Sequence, residues 1–476
     1  MKNLFPPGTL KWFVAVLMVV LDLELGYFTE QHEFPKIIAF YIPFFALYLF
    51  AFHQSKIPFF IFIAILLRFI LVFSLPHLSN DVYRFIWDGR LLVQGYNPFD
   101  HLPRYYLEAQ HQVPGIDQAL FEAFGAKDFF TVYPPVAQAQ FASAVWLFPE
   151  SIRGAAIVMK LWLFAFEVGS IFLIIKLLKR FRLPARNVLI YALNPLIIVE
   201  ITGNLHFEGA MVFFLLLALW LLVKCQPQTV RCIILSAAAF AFSICSKLLT
   251  VLFLPFLFYY FKNSGRVSAP AGIKSAWTGW EKSIPYFAVT GLATVLLFLP
   301  IVNVTFVRNF GGSLNLYFQK LEYNASLYYL LRWVGYLFSG YNQIAAIGPG
   351  LGLLAMAGIL WMAFFKKQPA ADIESFEKNM LELWLFAISL YLACTTTLHP
   401  WYLALPLVLC VFTRWRFPVV WSGLIFLTYV NYSYEPFREN LWVVALEYVA
   451  VASWFVWEWK SKTGNTQSPA YLSRTK

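Results

Sequence analysis

Apolar runs of roughly 15 to 24 residues recur from one end of the chain to the other, separated by short polar or basic stretches. Repeated this often, such runs read as helices whose solvent is lipid. The pattern fits about fourteen spans, near 9–28, 37–53, 57–75, 155–178, 187–203, 209–223, 232–246, 248–261, 284–302, 341–365, 381–397, 402–413, 418–432 and 441–458. Several fall short of the ~20 residues a straight spanning helix needs, notably around Lys247 and His399. Short spans must be buried against neighbours or border a water-filled cavity. The expected fold is therefore an all-α polytopic membrane protein, a bundle of about 12–14 transmembrane helices with a large first outer loop.

Composition agrees with this pattern. Of 476 residues, 60% are hydrophobic and only 13% charged, where soluble domains carry about 25% charged residues. The net charge of +11 is mainly a topology signal, because Lys and Arg cluster between spans at 176–186, 262–282 and 366–378. Placing both termini in the cytoplasm puts about 23 of the 36 Lys and Arg inside. No basic stripe interleaved with aromatics sits on a soluble module, so nucleic-acid binding is not expected. The first apolar run carries Asp22 and Glu24 and lacks a small-residue cleavage site, so it reads as a retained span. The five cysteines lie in or beside apolar spans, and no disulfide framework is expected. Gly348-Pro349-Gly350 and Gly352 open a span, which points to close helix packing rather than phosphate cradling.

In this orientation the largest polar segment, about 76–154, lies outside. It opens with SNDVYRFIWDGRLLVQGYNPF, Ser79 to Phe99, directly after an apolar run. Asp81 and Asp88 are two helical turns apart and project from one face, with Arg84 within ion-pair reach of either and Arg90 just beyond. Carboxylates held beside cations at a membrane surface point to proton removal next to an anionic substrate. The plainer reading is an amphipathic surface helix with ordinary salt bridges. Thr131-Val132-Tyr133-Pro134-Pro135 follows, and then an apolar run from Val136 to Phe148 too short to span, which is expected to lie in the outer interface. A second outer segment, about 303–340, carries Arg308, Lys320, Glu322 and Arg332 among aromatics.

Other polar residues stand at the outer ends of spans. Asn204, His206 and Glu208 lie in the turn GNLHFEG, with Glu200 just inside the membrane; Lys247 lies where two short spans meet; His399 follows another. Charges buried in a membrane are costly and are read as functional by default. Each also has a plainer reading, with His399 capping its helix and Lys247 snorkelling to headgroups. Glu167 reads as a hydrogen-bonded packing residue. Metal binding is poorly supported, since His206 and Glu208 at i, i+2 do not share a helix face. No phosphate loop is present, and the longest inner loop, near 262–283, is far below the 50 or more residues of a nucleotide-sugar domain.

Taken together, DVYRFIWDGRLLVQGYNPF (Asp81 to Phe99), TVYPP (Thr131 to Pro135), LNPLIIVE with GNLHFEG (Leu193 to Gly209), SKLLTVLFLP (Ser246 to Pro255), NASLYYLLRW (Asn324 to Trp333) and LHPWYLALP (Leu398 to Pro406) resemble the GT-C superfamily of membrane glycosyltransferases. The resemblance is closest to polyprenyl-phosphate-mannose-dependent mannosyltransferases, glycosyltransferase family 87 and the GPI-mannosyltransferases. It implies a catalytic core over 57–415 that includes the outer loop 76–154. Two extra N-terminal helices over 1–56, further helices over 416–460 and a cytoplasmic tail over 461–476 complete the chain. It also implies that Asp81 is the base toward the acceptor hydroxyl and Asp88 the second acidic position. The spacing of this pair is wider than the family often shows, which leaves open whether Asp88 touches substrate or orients Arg84 and Arg90.

Transfer from a lipid phosphate to a hydroxyl needs a base for the hydroxyl and cations for the departing phosphate, and it demands neither metal nor cofactor. The expected substrate contacts are Arg84, Arg90, Tyr133, Asn204, His206, Glu208, Lys247, Arg308, Lys320 and His399. The expected function is an inverting transfer of a sugar, mannose first among the choices, from polyprenyl phosphate to a glycolipid or glycan at the outer face of a bacterial inner membrane. The alternative is a transporter or flippase of lipid-linked sugars. That reading predicts internal repeats and midplane charges, whereas no repeat is found and the polar residues gather at one face.

Overall fold

The computed structural model describes residues 9–125, 127–225, 229–268, 280–366 and 370–464. Parts of two expected basic loops, 269–279 and 367–369, lie outside the described residues. Within them the protein is all-helical, with twenty α-helices and short 3₁₀ and π segments between them. It has the architecture of a multi-pass membrane protein.

Four helices are long and apolar enough to cross a membrane: Phe34–Phe52, Ile152–Arg180, Ile344–Phe364 and Leu441–Lys462. A fifth arises if Ala185–Ala192 and Pro195–Gly203, bent by 47° to one another, form one span. Helical segments fall on all the expected spans, but most are too short, too charged or broken to meet that test. Thr9–Tyr27 carries Asp22 and Glu24, Glu208–Lys224 has 17 residues, and the bent pair breaks at Asn194-Pro195. Proline cannot donate into the preceding turn, and the Asn194 side chain instead caps the new helix by accepting from the Leu196 backbone N–H (3.0 Å).

The breaks recur at one end of the bundle. Ile198–Gly203 is a π-helical turn, followed by Leu205 at φ 63°. Lys247, in extended backbone, separates Val230–Ser246 from the 3₁₀ turn Leu248–Phe253. His399 precedes the 3₁₀ turn Pro400–Leu403. Non-helical backbone at membrane depth survives where it lines a cavity or is buried in protein, and the left-handed conformation of a branched residue marks local strain.

The polar segment 76–154, expected outside, folds on its own small core. The motif forms helix Asp81–Val93, which crosses Pro135–Leu147 closely: a Cβ at Gly89 would lie 2.7 Å from the Phe141 carbonyl oxygen. Phe85 and Phe141 stack at 4.7 Å, and Trp87 packs among Tyr106, Phe121 and Phe124. Phe207 stands edge-on to both Phe85 and Phe141 (5.2 and 5.0 Å), which ties the GNLHFEG turn to the motif helix. The Asn97-Pro98-Phe99 exit docks the second outer segment. Asn97 Nδ2 donates to the Ile301 carbonyl (2.8 Å), and Asn309 Nδ2 donates to that of Phe99 (2.8 Å).

Two sequence expectations are corrected. Cys225 and Cys232 form a disulfide, because they end and begin adjacent antiparallel helices and their Cα atoms are 6.7 Å apart. Close packing does not account for Gly350 or Gly352, where a Cβ would meet nothing within 4 Å. Glu167 is a hydrogen-bonded packing residue as expected, paired with Arg68 (3.0 Å) and accepting from the Tyr191 hydroxyl (2.7 Å).

Candidate active site

Asp81 occupies the first turn of the motif helix, partly exposed. The Tyr133 hydroxyl donates to its Oδ2 (3.3 Å), so the Tyr-Pro-Pro turn reaches back over the helix start. Burial pushes the Asp81 carboxyl above its ordinary value. The nearby Lys247 ammonium and the Tyr133 hydrogen bond oppose that rise, while the Glu208 carboxylate adds to it. Lys247 Nζ is 3.1 Å from Glu208 Oε1, 4.8 Å from the centre of the Tyr133 ring and 6.0 Å from that of Tyr402. An ammonium over an aromatic face is attracted by the ring quadrupole. Asp81, the Lys247 ammonium and the Glu208 carboxylate therefore meet where three chain segments end.

Asp88 sits elsewhere. It is fully buried, with Oδ1 accepting from Arg84 Nε (2.9 Å) and Oδ2 from Gln138 Nε2 (3.1 Å). Of the two carboxylates within reach, Arg84 pairs with Asp88, and it also donates to the Phe129 carbonyl (3.0 Å). Arg90 donates to the carbonyls of Pro149 (3.2 Å) and Gly115 (2.5 Å), holding the ends of the outer segment together. Arg308 and Lys320 are exposed, on and just after helix Val304–Gln319. Among the described residues no hydrogen bond or ion pair joins either to Asp81 or Lys247.

A column of rings lies near these groups. Trp401 lies 3.5 Å from His206 and 4.5 Å from His399, the latter parallel to within 1°; His399 in turn stacks on Tyr323 at 4.8 Å. Both imidazoles are held neutral. Burial and the Lys247 charge push His399 down to about 3 and His206 well below its ordinary value. His206 Nδ1 lies 3.1 Å from the Glu200 carbonyl oxygen and donates to it, which leaves Nε2 as the lone-pair nitrogen. That nitrogen is buried and makes no hydrogen bond within the protein, as is His399 Nδ1. Each retains an unused hydrogen-bonding capacity near the Lys247 charge. Glu200 supports the turn, accepting from the Tyr429 hydroxyl (2.7 Å) and from Asn204 Nδ2 (3.3 Å), while Asn204 Oδ1 accepts from the Leu78 backbone N–H (3.3 Å).

The structure thus brings together Asp81, Tyr133, His206, Glu208, Lys247 and His399, with Asn204 behind them. Asp88, Arg84 and Arg90 lie within the outer-segment core and at its edge. Sequence reasoning gave no role to Trp401, Tyr323 or Tyr432, which is within electrostatic reach of Asp81. Trp401 stands inside the motif LHPWYLALP, two residues after His399, and that position was the available signal. Among the described residues no group of three or more His, Cys, Asp or Glu is arranged to hold a metal ion.

Residues 59–262 match the family model described as alpha-(1->6)-mannopyranosyltransferase, N-terminal domain, of the MptA/B family. The matched segment contains Asp81, Asp88, Tyr133, Asn204, His206, Glu208 and Lys247; Arg308, Lys320 and His399 lie beyond it. No curated protein matches the chain. The resemblance drawn from the motifs is borne out over this segment, which is that of a mannosyltransferase family and hence of hexosyltransferases.

Proposed function

We propose that the protein transfers mannose from polyprenyl-phosphate mannose to a hydroxyl of a glycolipid or glycan, with inversion, at the outer face of a bacterial inner membrane. The observation that carries this reading is Asp81, held by Tyr133 beside the Lys247 ammonium at the broken ends of several helices. The acceptor oxygen attacks the anomeric carbon as its proton passes to Asp81. The bond from that carbon to the phosphate oxygen breaks, and its electron pair leaves with the phosphate. Lys247 stabilises the charge growing on the phosphate, and Arg308 and Lys320 on the second outer segment attract the anionic head. The lone-pair nitrogen of His206 accepts from a substrate hydroxyl, and His399 offers a second such position. Asp88 supports Asp81 indirectly, by fixing Arg84 and the Tyr133 segment through Gln138.

A retaining route would need a second carboxylate free to attack the sugar. Both Asp88 oxygens are engaged and Glu208 is turned toward Lys247, which favours direct displacement. Exposed tryptophans also favour a spanning bundle. Trp146, Trp333 and Trp442 border the segments assigned outside, and Trp12, Trp361 and Trp457 the opposite end, as interfacial girdles do.

The test is reconstituted enzyme supplied with polyprenyl-phosphate mannose or with GDP-mannose, without a lipid-charging enzyme. Transfer is expected from the first only. Efficient transfer from GDP-mannose alone overturns the lipid-donor mechanism.

A further inference from the structure

We propose that Glu208 is a positioning residue: it holds the Lys247 ammonium against Asp81 and Tyr133 and does not itself touch the sugar. The inference rests on the reading of Asp81 and Lys247 above, and it replaces the substrate contact that sequence alone suggested for Glu208.

Glu208 is 1% exposed, and neither of its oxygens makes a hydrogen bond. Lys247 Nζ approaches Oε1 to 3.1 Å, at ion-pair distance but out of line for a hydrogen bond. A buried carboxylate with no hydrogen bonds is costly and persists where a counter-charge compensates it. Among the described residues Glu208 is the one carboxylate within 4 Å of Lys247.

The backbone makes this carboxylate a fixed point. It lies on the first turn of a 17-residue helix, after the left-handed Leu205 and the ring-locked Phe207. The next residue, Gly209, has no room to shift, since a Cβ there would lie 2.6 Å from Ile201 and 3.3 Å from Glu167. Lys247, by contrast, stands on extended backbone between two helical pieces, with a long flexible stem. The rigid partner therefore sets the place of the mobile one. The Lys247 side chain is 18% exposed, against 1% for Glu208.

A group acting only through another has no effect once that other is gone. Glu208→Gln and Lys247→Met should each lower kcat by about ten- to hundredfold. The double variant should match Lys247→Met to within about twofold. Lys247→Met alone leaves a buried unpaired carboxylate and should melt earlier, and adding Glu208→Gln should restore the melting temperature. Glu208→Asp, which keeps the charge, should retain more activity than Glu208→Gln. The acidic limb of the pH–rate profile should move down in Glu208→Gln, which removes a negative neighbour of Asp81, and up in Lys247→Met. Multiplying losses in the double variant, or no recovery of melting temperature, overturns the proposal. Full activity of Asp81→Asn would instead overturn the base assignment, which the coupling measurements do not use.

Discussion

Asn in place of either motif aspartate is nearly isosteric, yet the two substitutions should fail in different ways. Asp81→Asn keeps an acceptor for the Tyr133 hydroxyl and removes the carboxylate proposed to take the acceptor proton. Loss of a positioned base costs at least ~10²-fold in rate. Folding should not suffer, because burial already disfavours the charged form of Asp81, as its raised pKa shows, and a neutral amide removes that penalty. Asp88→Asn acts on a carboxylate with no exposure, whose oxygens accept from Arg84 and Gln138. It removes the counter-charge of Arg84, a residue 5% exposed that keeps its bond to the Phe129 carbonyl, and breaking a buried pair costs about 3–5 kcal/mol. The assay is transfer from polyprenyl-phosphate mannose per mole of monodisperse protein, with melting followed on the same samples. Asp81→Asn should melt no earlier than the parent and be inactive; Asp88→Asn should melt markedly earlier, and its surviving folded fraction should retain turnover. Near-normal turnover by Asp81→Asn refutes the base assignment. An Asp88→Asn protein that melts like the parent yet is inactive refutes the division of labour.

Tyr133→Phe removes one hydrogen bond to a charged acceptor, worth about 1.5 kcal/mol, so turnover should fall about tenfold while insertion is normal; an unchanged rate would show that the contact is idle. Because only deprotonated Asp81 accepts a proton and its pKa is raised, activity should decline on acidification at a pH above the ordinary aspartate value of about 3.9. His399, held near 3, should add no inflection between about pH 5 and 8, so a histidine-like inflection abolished by His399→Gln would contradict this environment. Trp87→Ala empties the centre of the outer-segment core and should cost about 3–5 kcal/mol, read as earlier melting of the whole enzyme. Reporter fusions at Gly125 and Asp372 should report opposite sides of the membrane, with Gly125 outside; an inner signal at Gly125 would reverse the orientation and move the site.

Much of the arrangement is legible in the sequence because membrane burial is demanding. Lys247, Glu208 and His206 stood out as polar residues at the ends of apolar runs, and they meet in space because those runs are packed helices whose ends lie together. Helix positions were legible for the same reason, from Thr9–Tyr27 to Leu441–Gly464. The count of unbroken crossings was not. Apolarity marks that a segment is buried, but a Pro195 break, a π turn at Ile198–Gly203 and 3₁₀ turns after Lys247 and His399 are tertiary choices. The pairing of Arg84 was likewise undetermined: spacing allowed either aspartate, and Gln138, fifty residues away, completes the shell that favours Asp88.

The ring column was hardest to read, and it bears on how the two halves of the chain divide the work. The family match ends at residue 262, so Asp81, Lys247 and Glu208 all come from the matched segment. Trp401, His399, Tyr323 and Tyr429 come from beyond it. Yet Trp401 lies 3.5 Å from His206, and the Tyr429 hydroxyl is bonded to Glu200, which orients the same turn. Without those rings the His206 imidazole would face water, lose the burial that keeps it neutral, and be free to rotate. On the proposed mechanism the matched segment carries the reacting groups, and the later segment sets the surroundings of His206 through Trp401 and Tyr429.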